Sequence, residues 1–183
     1  QIIHPQHWPE NLDYTGKKVV IIGSGATAVT LLPAMTDKAA HVTMLQRSPT
    51  YVVSLPEQDL FANSLRRFLP EKMVYRATRA KNIALTLGFF NLSRQRPKPV
   101  RRMLLAQVRA QVGKDFDMKH FTPNYNPWDE RLCAVPNGDL FKTLRKGQGE
   151  IVTDHIDTFT ETGIQLKSGQ HLDADIIITA TGL

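Results

Sequence analysis

The sequence predicts an α/β protein with a Rossmann-like parallel sheet, a helical insertion and a small antiparallel β-meander. Three observations predict it. Val19 to Ile22 is an unbroken run of β-branched residues, which suits a strand buried on both faces, as in a parallel sheet. A glycine-punctuated turn, an apolar helix over Ala28 to Met35 and a second strand, His41 to Gln46, follow it to complete a βαβ unit. Near the far end, Asp175-Ile-Ile-Ile-Thr-Ala-Thr-Gly182 is another apolar strand that returns the chain to the same sheet.

Gln1 to Thr15 reads as an irregular, Pro-punctuated connection into the first strand, with His4, Trp8 and Pro9 its distinctive residues. The turn after Ile22 has the form G-x-G-x-x-A. Gly23 and Gly25 free the backbone to turn sharply and approach a ligand, and Ala28 keeps a small residue where the helix packs on the strand. The helix begins at Ala26 or Thr27, so its unpaired N–H groups and partial positive charge face a pyrophosphate. Gly23, Ser24, Gly25, Ala26, Thr27 and Ala28 are therefore candidate cofactor contacts. At the end of the second strand, where an NAD site places a carboxylate for the ribose 2′-hydroxyl, the chain reads Gln46-Arg47-Ser48-Pro49-Thr50. A guanidinium with hydroxyls suits a 2′-phosphate, which makes Arg47, Ser48 and Thr50 candidate contacts and NADP(H) the expected cofactor.

Arg47 to Pro56 reads as a loop passing over that phosphate. Residues 57–113 read as a helical insertion of three helices, with apolar residues at helical spacing, an opening Pro70 and a break around Pro97 and Pro99. Between Leu65 and Arg109 the insertion carries twelve Lys and Arg residues against Glu71 alone. Interleaved apolar residues from Ile83 to Leu92 make it a candidate for peripheral contact with an anionic membrane, and the run is too short to span one. The competing reading is a solvated helix face whose potential steers an anionic cofactor. Residues 114–137 are rich in proline and aromatics and read as an ordered interface loop. A helix over Gly138 to Lys146, a short strand over Glu150 to Asp154 and the meander from Asp157 to Leu172 complete the order.

With 183 residues, 42% of them hydrophobic, and a net charge of +6, the chain has material for one basic globular domain with an insertion, and not for two dinucleotide domains. The lone Cys133 and a start without a secretory signal predict a cytoplasmic protein. The start without Met and the end directly after a strand predict a domain cut from a longer chain. The basic residues lie on no recognisable nucleic-acid reading module, so no nucleic-acid partner is expected. No metal site is expected.

His4-x-x-x-Trp8-Pro9 followed by the glycine turn resembles the end of the fingerprint of flavin-containing Baeyer–Villiger monooxygenases. Over nearly the whole chain the element order resembles the NADP-binding domain of class B flavoprotein monooxygenases. Gln46-Arg-Ser-Pro-Thr-Tyr51 and Pro127-Trp-Asp-Glu-Arg-Leu-Cys133 are most similar to the ethionamide-activating branch. The resemblance implies that residues 1–16 are a hinge from an FAD domain of the same parent chain and that residues 17–183 bind NADP. It also implies that Thr181 and Gly182 lie near the join with the flavin domain. The implied reaction uses NADPH, FAD and O₂ to insert oxygen beside a ketone or to oxidise a sulfur or thioamide substrate through a C4a-peroxyflavin, and the fragment alone is expected to be inactive. The arginine that reaches flavin and nicotinamide in that family matches Arg131, whose permanent charge would stabilise a peroxyflavin anion. The alternative role for Arg131 is a salt bridge with Asp129 or Glu130. Many members have a lysine before this arginine that helps bind the 2′-phosphate. Here Glu130 stands there, leaving the task to Arg47 and Ser48. Three other functions fit parts of the sequence: the NADP domain of a flavin disulfide reductase, a non-catalytic basic module for membrane or nucleic acid, and a simple NAD(P)-dependent dehydrogenase, for which no Tyr-x-x-x-Lys or His/Asp set stands out.

Overall fold

In the computed structural model, which describes residues 1–182, a five-stranded parallel sheet has the order β1-β10-β2-β3-β6. Its strands are β1 (Ile2–Ile3), β2 (Lys18–Ile22), β3 (His41–Gln46), β6 (Gly149–Thr153) and β10 (Ile176–Thr179). Alternation along each strand sends successive side chains to opposite faces. Val19 and Ile21 of β2, Val42 and Met44 of β3, and Ile176 and Ile178 of β10 all fall on one face. There they meet Ala28, Val29 and Leu32 of α1 (Ala26–Met35) and Leu140 and Phe141 of α5 (Asp139–Arg145). Val20, Leu45 and Ile177 point the other way, onto Ile164, Leu166 and Leu172 of an antiparallel meander. The meander is β7 (Ile156–Thr160), β8 (Gly163–Leu166) and β9 (His171–Asp173). Helices on one side and meander on the other leave the central strands largely dry, and Thr43, buried in the middle of β3, is satisfied by donating its hydroxyl to the Glu150 carboxylate at 2.8 Å. Each fully buried aliphatic side chain in such a core stabilises the fold by about 1.5–3 kcal/mol.

The sequence expectation of a parallel sheet, a helical insertion and a meander holds. Two stretches differ from it. Within the expected loop from Arg47 to Pro56, Tyr51–Leu55 is a strand, β4, and within residues 114–137, Leu132–Pro136 is a strand, β5. The two pair in parallel, Tyr51 with Leu132 through Leu55 with Pro136, as a separate ribbon. Neither segment declares itself alone, because each finds its hydrogen-bonding partner some eighty residues away. Ile2–Ile3 also joins the sheet, beside Ile177 and Ile178, although two residues carry no periodicity to read.

Between the ribbon strands run α2 (Leu60–Leu65), α3 (Glu71–Gln95) and α4 (Pro97–Val112). The Asp59 carboxylate caps α2 by accepting from the N–H groups of Phe61 and Ala62, and it also pairs with Lys81 of α3. Pro97 occupies the first position of α4, where its missing N–H costs nothing. One end of α4 packs Val100 and Leu104 on Tyr51 and Val53 of the ribbon, and the other sends Val108 and Val112 into the main core. By contrast α3 buries only Val74 and Ser93.

Gly23 adopts φ +136°, and a Cβ placed there would stand 2.3 Å from the carbonyl oxygen of Ala180. Gly88, in the middle of α3, has open space around it. Gly23→Ala should therefore lower unfolding stability by at least about 1–3 kcal/mol through backbone strain alone. Gly88→Ala should raise it by about 0.5–1 kcal/mol by stiffening the unfolded chain. Urea titrations of the two variants check this; a harmless Gly23→Ala would show that Ala180 does not impose the glycine.

Candidate functional site: a cleft over the glycine turn

The C-terminal ends of β2, β3 and β10 open on a cleft of about 380 Å³. Ligand clefts of parallel α/β sheets form at this edge, where successive connections leave in opposite directions. Gly23 holds the turn to β3 through its N–H, which donates to the Leu45 carbonyl at 2.8 Å, while its missing side chain lets β10 pass against it. Gly25 precedes α1, and no side chain caps the first turn of that helix. Its N–H groups are consequently available to an anion.

The cleft gathers Gly23, Ser24, Gly25, Arg47, Ser48, Arg131 and Thr181, seven of the residues singled out from the sequence. Ala26 and Thr27 are exposed on the adjoining turn of α1, and Gly182, at φ +104°, follows Thr181. Two of the expected contacts do not line the cleft. Ala28 is fully buried in the core under the sheet, where its small size serves helix packing. Thr50, just ahead of β4, is also buried, its hydroxyl 2.9 Å from the hydroxyl of Tyr125 in the loop that follows the insertion. His4, Trp8 and Pro9 do not line the cleft; His4 caps the short 3-10 turn Pro5–His7 through Nδ1, and Trp8 is exposed. The cleft also uses Ile22, which ends β2, Leu45, next to last in β3, and Ala180, just beyond β10. Their position was the available signal, since strand ends make the rim of such sites.

Arg131 reaches the cleft because of the ribbon. It immediately precedes β5, and its Nη1 lies 3.0 Å from where a Cβ on Gly25 would be. Below it the Cys133 thiol faces the Ser24 carbonyl at 3.8 Å. Burial pushes that thiol up from its ordinary value, with the smaller opposing influence of Arg131, so it stays protonated and unreactive. Among the described residues no carboxylate forms a salt bridge with Arg131; Asp129, one candidate partner, pairs with Arg94 instead. The structural role considered for Arg131 therefore has no partner here. Its charge is turned toward the glycine turn.

Gln46, the last residue of β3, turns its side chain inward. It is buried, and its Nε2 donates to the His120 carbonyl at 2.8 Å and the Thr153 hydroxyl at 2.9 Å. Arg47 is thus the first side chain at the end of β3 to reach solvent and cleft together.

The fold and cleft define a Rossmann-type α/β segment with a helical insertion and a meander. By sequence the chain is a homologue of one segment of the FAD-containing monooxygenases. It is 63% identical over 184 residues to the probable FAD-binding monooxygenase AlmA of Acinetobacter baylyi, covering 100% of this chain and 37% of that protein. It is 58% identical to the FAD-containing monooxygenase EthA of Mycobacterium tuberculosis, covering 100% of this chain and 38% of that protein. The chain therefore spans little more than a third of the length of the curated relatives it matches. A structure of oxidised steroid monooxygenase bound to NADP has the same fold, with a TM-score of 0.73 and 23% identity over 99% of this chain and 42% of that one. No protein-family model matches the chain.

The brace behind Arg47 has a pH dependence. His120 Nδ1 lies 2.7 Å from the Thr153 hydroxyl, and burial, followed by Lys119, holds the imidazole below its ordinary 6.5. The unfolded chain then takes up this proton more readily than the folded one, so stability is present above that value and is lost as pH falls through it. Urea midpoints should drop between pH 7.5 and 5.5, and His120→Asn should flatten the change.

Proposed function

We propose that this chain is the NADPH-binding segment of an FAD-dependent monooxygenase that oxygenates small ketone or sulfur substrates with O₂. One observation carries the reading: the glycine turn, the uncapped start of α1, Arg47 and Arg131 border a single cleft. The residues present fit a dinucleotide. Gly25 leaves a space that a Cβ would fill, beneath the Arg131 guanidinium, and Arg47 stands at the end of β3 where the adenosine ribose would lie. NADPH supplies the hydride, and FAD, held mainly by residues outside this chain, supplies the oxygen chemistry. Arg131, without a carboxylate partner, keeps a fixed positive charge beside the reacting end of the cofactor. Removing a preorganised charge of that kind costs about 2.7–4 kcal/mol of transition-state stabilisation.

Two readings from the sequence lose ground on the same geometry. A disulfide reductase would use a reactive thiol, and Cys133 is buried with its thiol held protonated. A basic module without a nucleotide would not need a glycine turn pressed against Ala180. Calorimetry with NADPH and NADH separates them further. Arg47→Ala should weaken NADPH by about tenfold or more and leave NADH nearly unchanged, whereas an equal loss for both would remove Arg47 from phosphate recognition.

The insertion also supports a proposed peripheral membrane contact. Phe68 is 82% exposed and Leu60 74%, beside the exposed Arg66, Arg67, Lys72 and Arg76. No helix among the described residues is long and apolar enough to cross a membrane. The full-length protein should float with vesicles rich in anionic phosphatidylglycerol and stay behind with phosphatidylcholine. Flotation with neither would mean that this face is covered by protein.

A further inference from the structure

Next to the main cleft, and sharing Ile22, Leu45 and Arg47 with it, lies a second hollow of about 250 Å³. Its far wall comes from the other side of the sheet: Asp154 and His155 just after β6, Ile156 at the start of β7, and Lys167 just after β8. Lys167 is exposed and makes no ion pair among the described residues. Its backbone is fixed, because its N–H donates to the His155 carbonyl at 2.9 Å. Asp154 is already engaged, accepting from the His155 N–H at 2.6 Å and the Ser168 N–H at 3.3 Å. The hollow therefore presents two free cations, Arg47 and Lys167, over apolar walls, with one carboxylate tied into its floor.

Resting on the NADPH reading above, we propose that this hollow receives the 2′-phosphoadenosine end of the dinucleotide and that Lys167 is the second cation reading the 2′-phosphate. Continuity carries the inference: a dinucleotide lying along the glycine turn leaves the main cleft past Arg47, and the wall it meets there is Lys167. An adenine fits the apolar surface of Ile22, Leu45 and Ile156, and the Asp154 carboxylate offers an acceptor to a base amino group or a ribose hydroxyl. Two cations from separate layers also supply what a single exposed arginine does not, a phosphate held from both sides. The meander thereby acquires a role in cofactor choice.

The test uses 2′,5′-ADP and 5′-AMP, adenosine probes with and without the 2′-phosphate, titrated calorimetrically into the full-length protein as wild type, Lys167→Ala and Lys167→Arg. Lys167 is a surface residue, so thermal unfolding should confirm that both variants stay folded. Lys167→Ala should weaken 2′,5′-ADP about tenfold with 5′-AMP unchanged, and Lys167→Arg should restore most of the affinity. Wild-type binding of 2′,5′-ADP that Lys167→Ala leaves intact, or an equal loss for both probes, overturns the assignment of Lys167 alone. No wild-type binding of 2′,5′-ADP, NADPH or NADH overturns the cofactor reading and this inference with it.

Discussion

The close passage of Gly23 beneath the Ala180 carbonyl is the contact on which the site depends. It lets the turn after β2 lie flat against the end of β10, with its own N–H tied to Leu45 of β3. Three strand ends are thereby drawn to one level, and α1 starts at that level with its first N–H groups uncapped. Any side chain at Gly23 would push two adjacent strands apart at their functional rim. The apolar central strands behind it supply the stiffness that keeps the rim in register.

A second device brings charge to this rim. The β4–β5 ribbon lies outside the main sheet, yet Cys133 and Val135 of β5 pack into the core below α1 while Leu132 faces the insertion. Tyr125 locks the preceding loop: its carbonyl accepts from the Tyr51 hydroxyl at 2.7 Å and from Arg101 Nη1 at 3.1 Å. Held at both ends, the short span from Tyr125 to Leu132 carries Arg131 to Gly25. The insertion thus positions a side chain of the cleft from a distance.

Much of this was legible from residue order. Val19 to Ile22, the glycine spacing and the apolar run at Ile176 to Ile178 define the sheet, because parallel strands buried on both faces leave an unmistakable composition. Arg47 and Ser48 were legible because they follow a strand of readable length. The ribbon was not, since its pairing is long-range and Pro136 ends it. The burial of Thr50 was illegible for a related reason: its hydroxyl meets that of Tyr125, seventy-five residues away in the chain. Lys167 lies 120 residues from Arg47 in the chain, so their juxtaposition is a property of the meander's packing on the sheet. Arg131 could be singled out only through a family resemblance, since its own neighbours Asp129 and Glu130 suggest an ordinary surface ion pair.

The thin anchoring of α3 gives the molecule unequal rigidity. Twenty-five residues long, it buries two side chains, while α4 beside it buries four that reach both the ribbon and the main core. Opening α3 would expose little apolar surface and would leave the sheet and the glycine turn in place, but it would release Asp129 from Arg94 and Trp128 from Phe89 and Phe90, just ahead of Arg131. Its amides therefore belong to a low-energy opening unit, exchanging with solvent in excursions that the sheet does not share. The cleft floor thus sits on the most cooperative part of the chain, while the loop that carries Arg131 is tied to the least cooperative helix and feels its excursions.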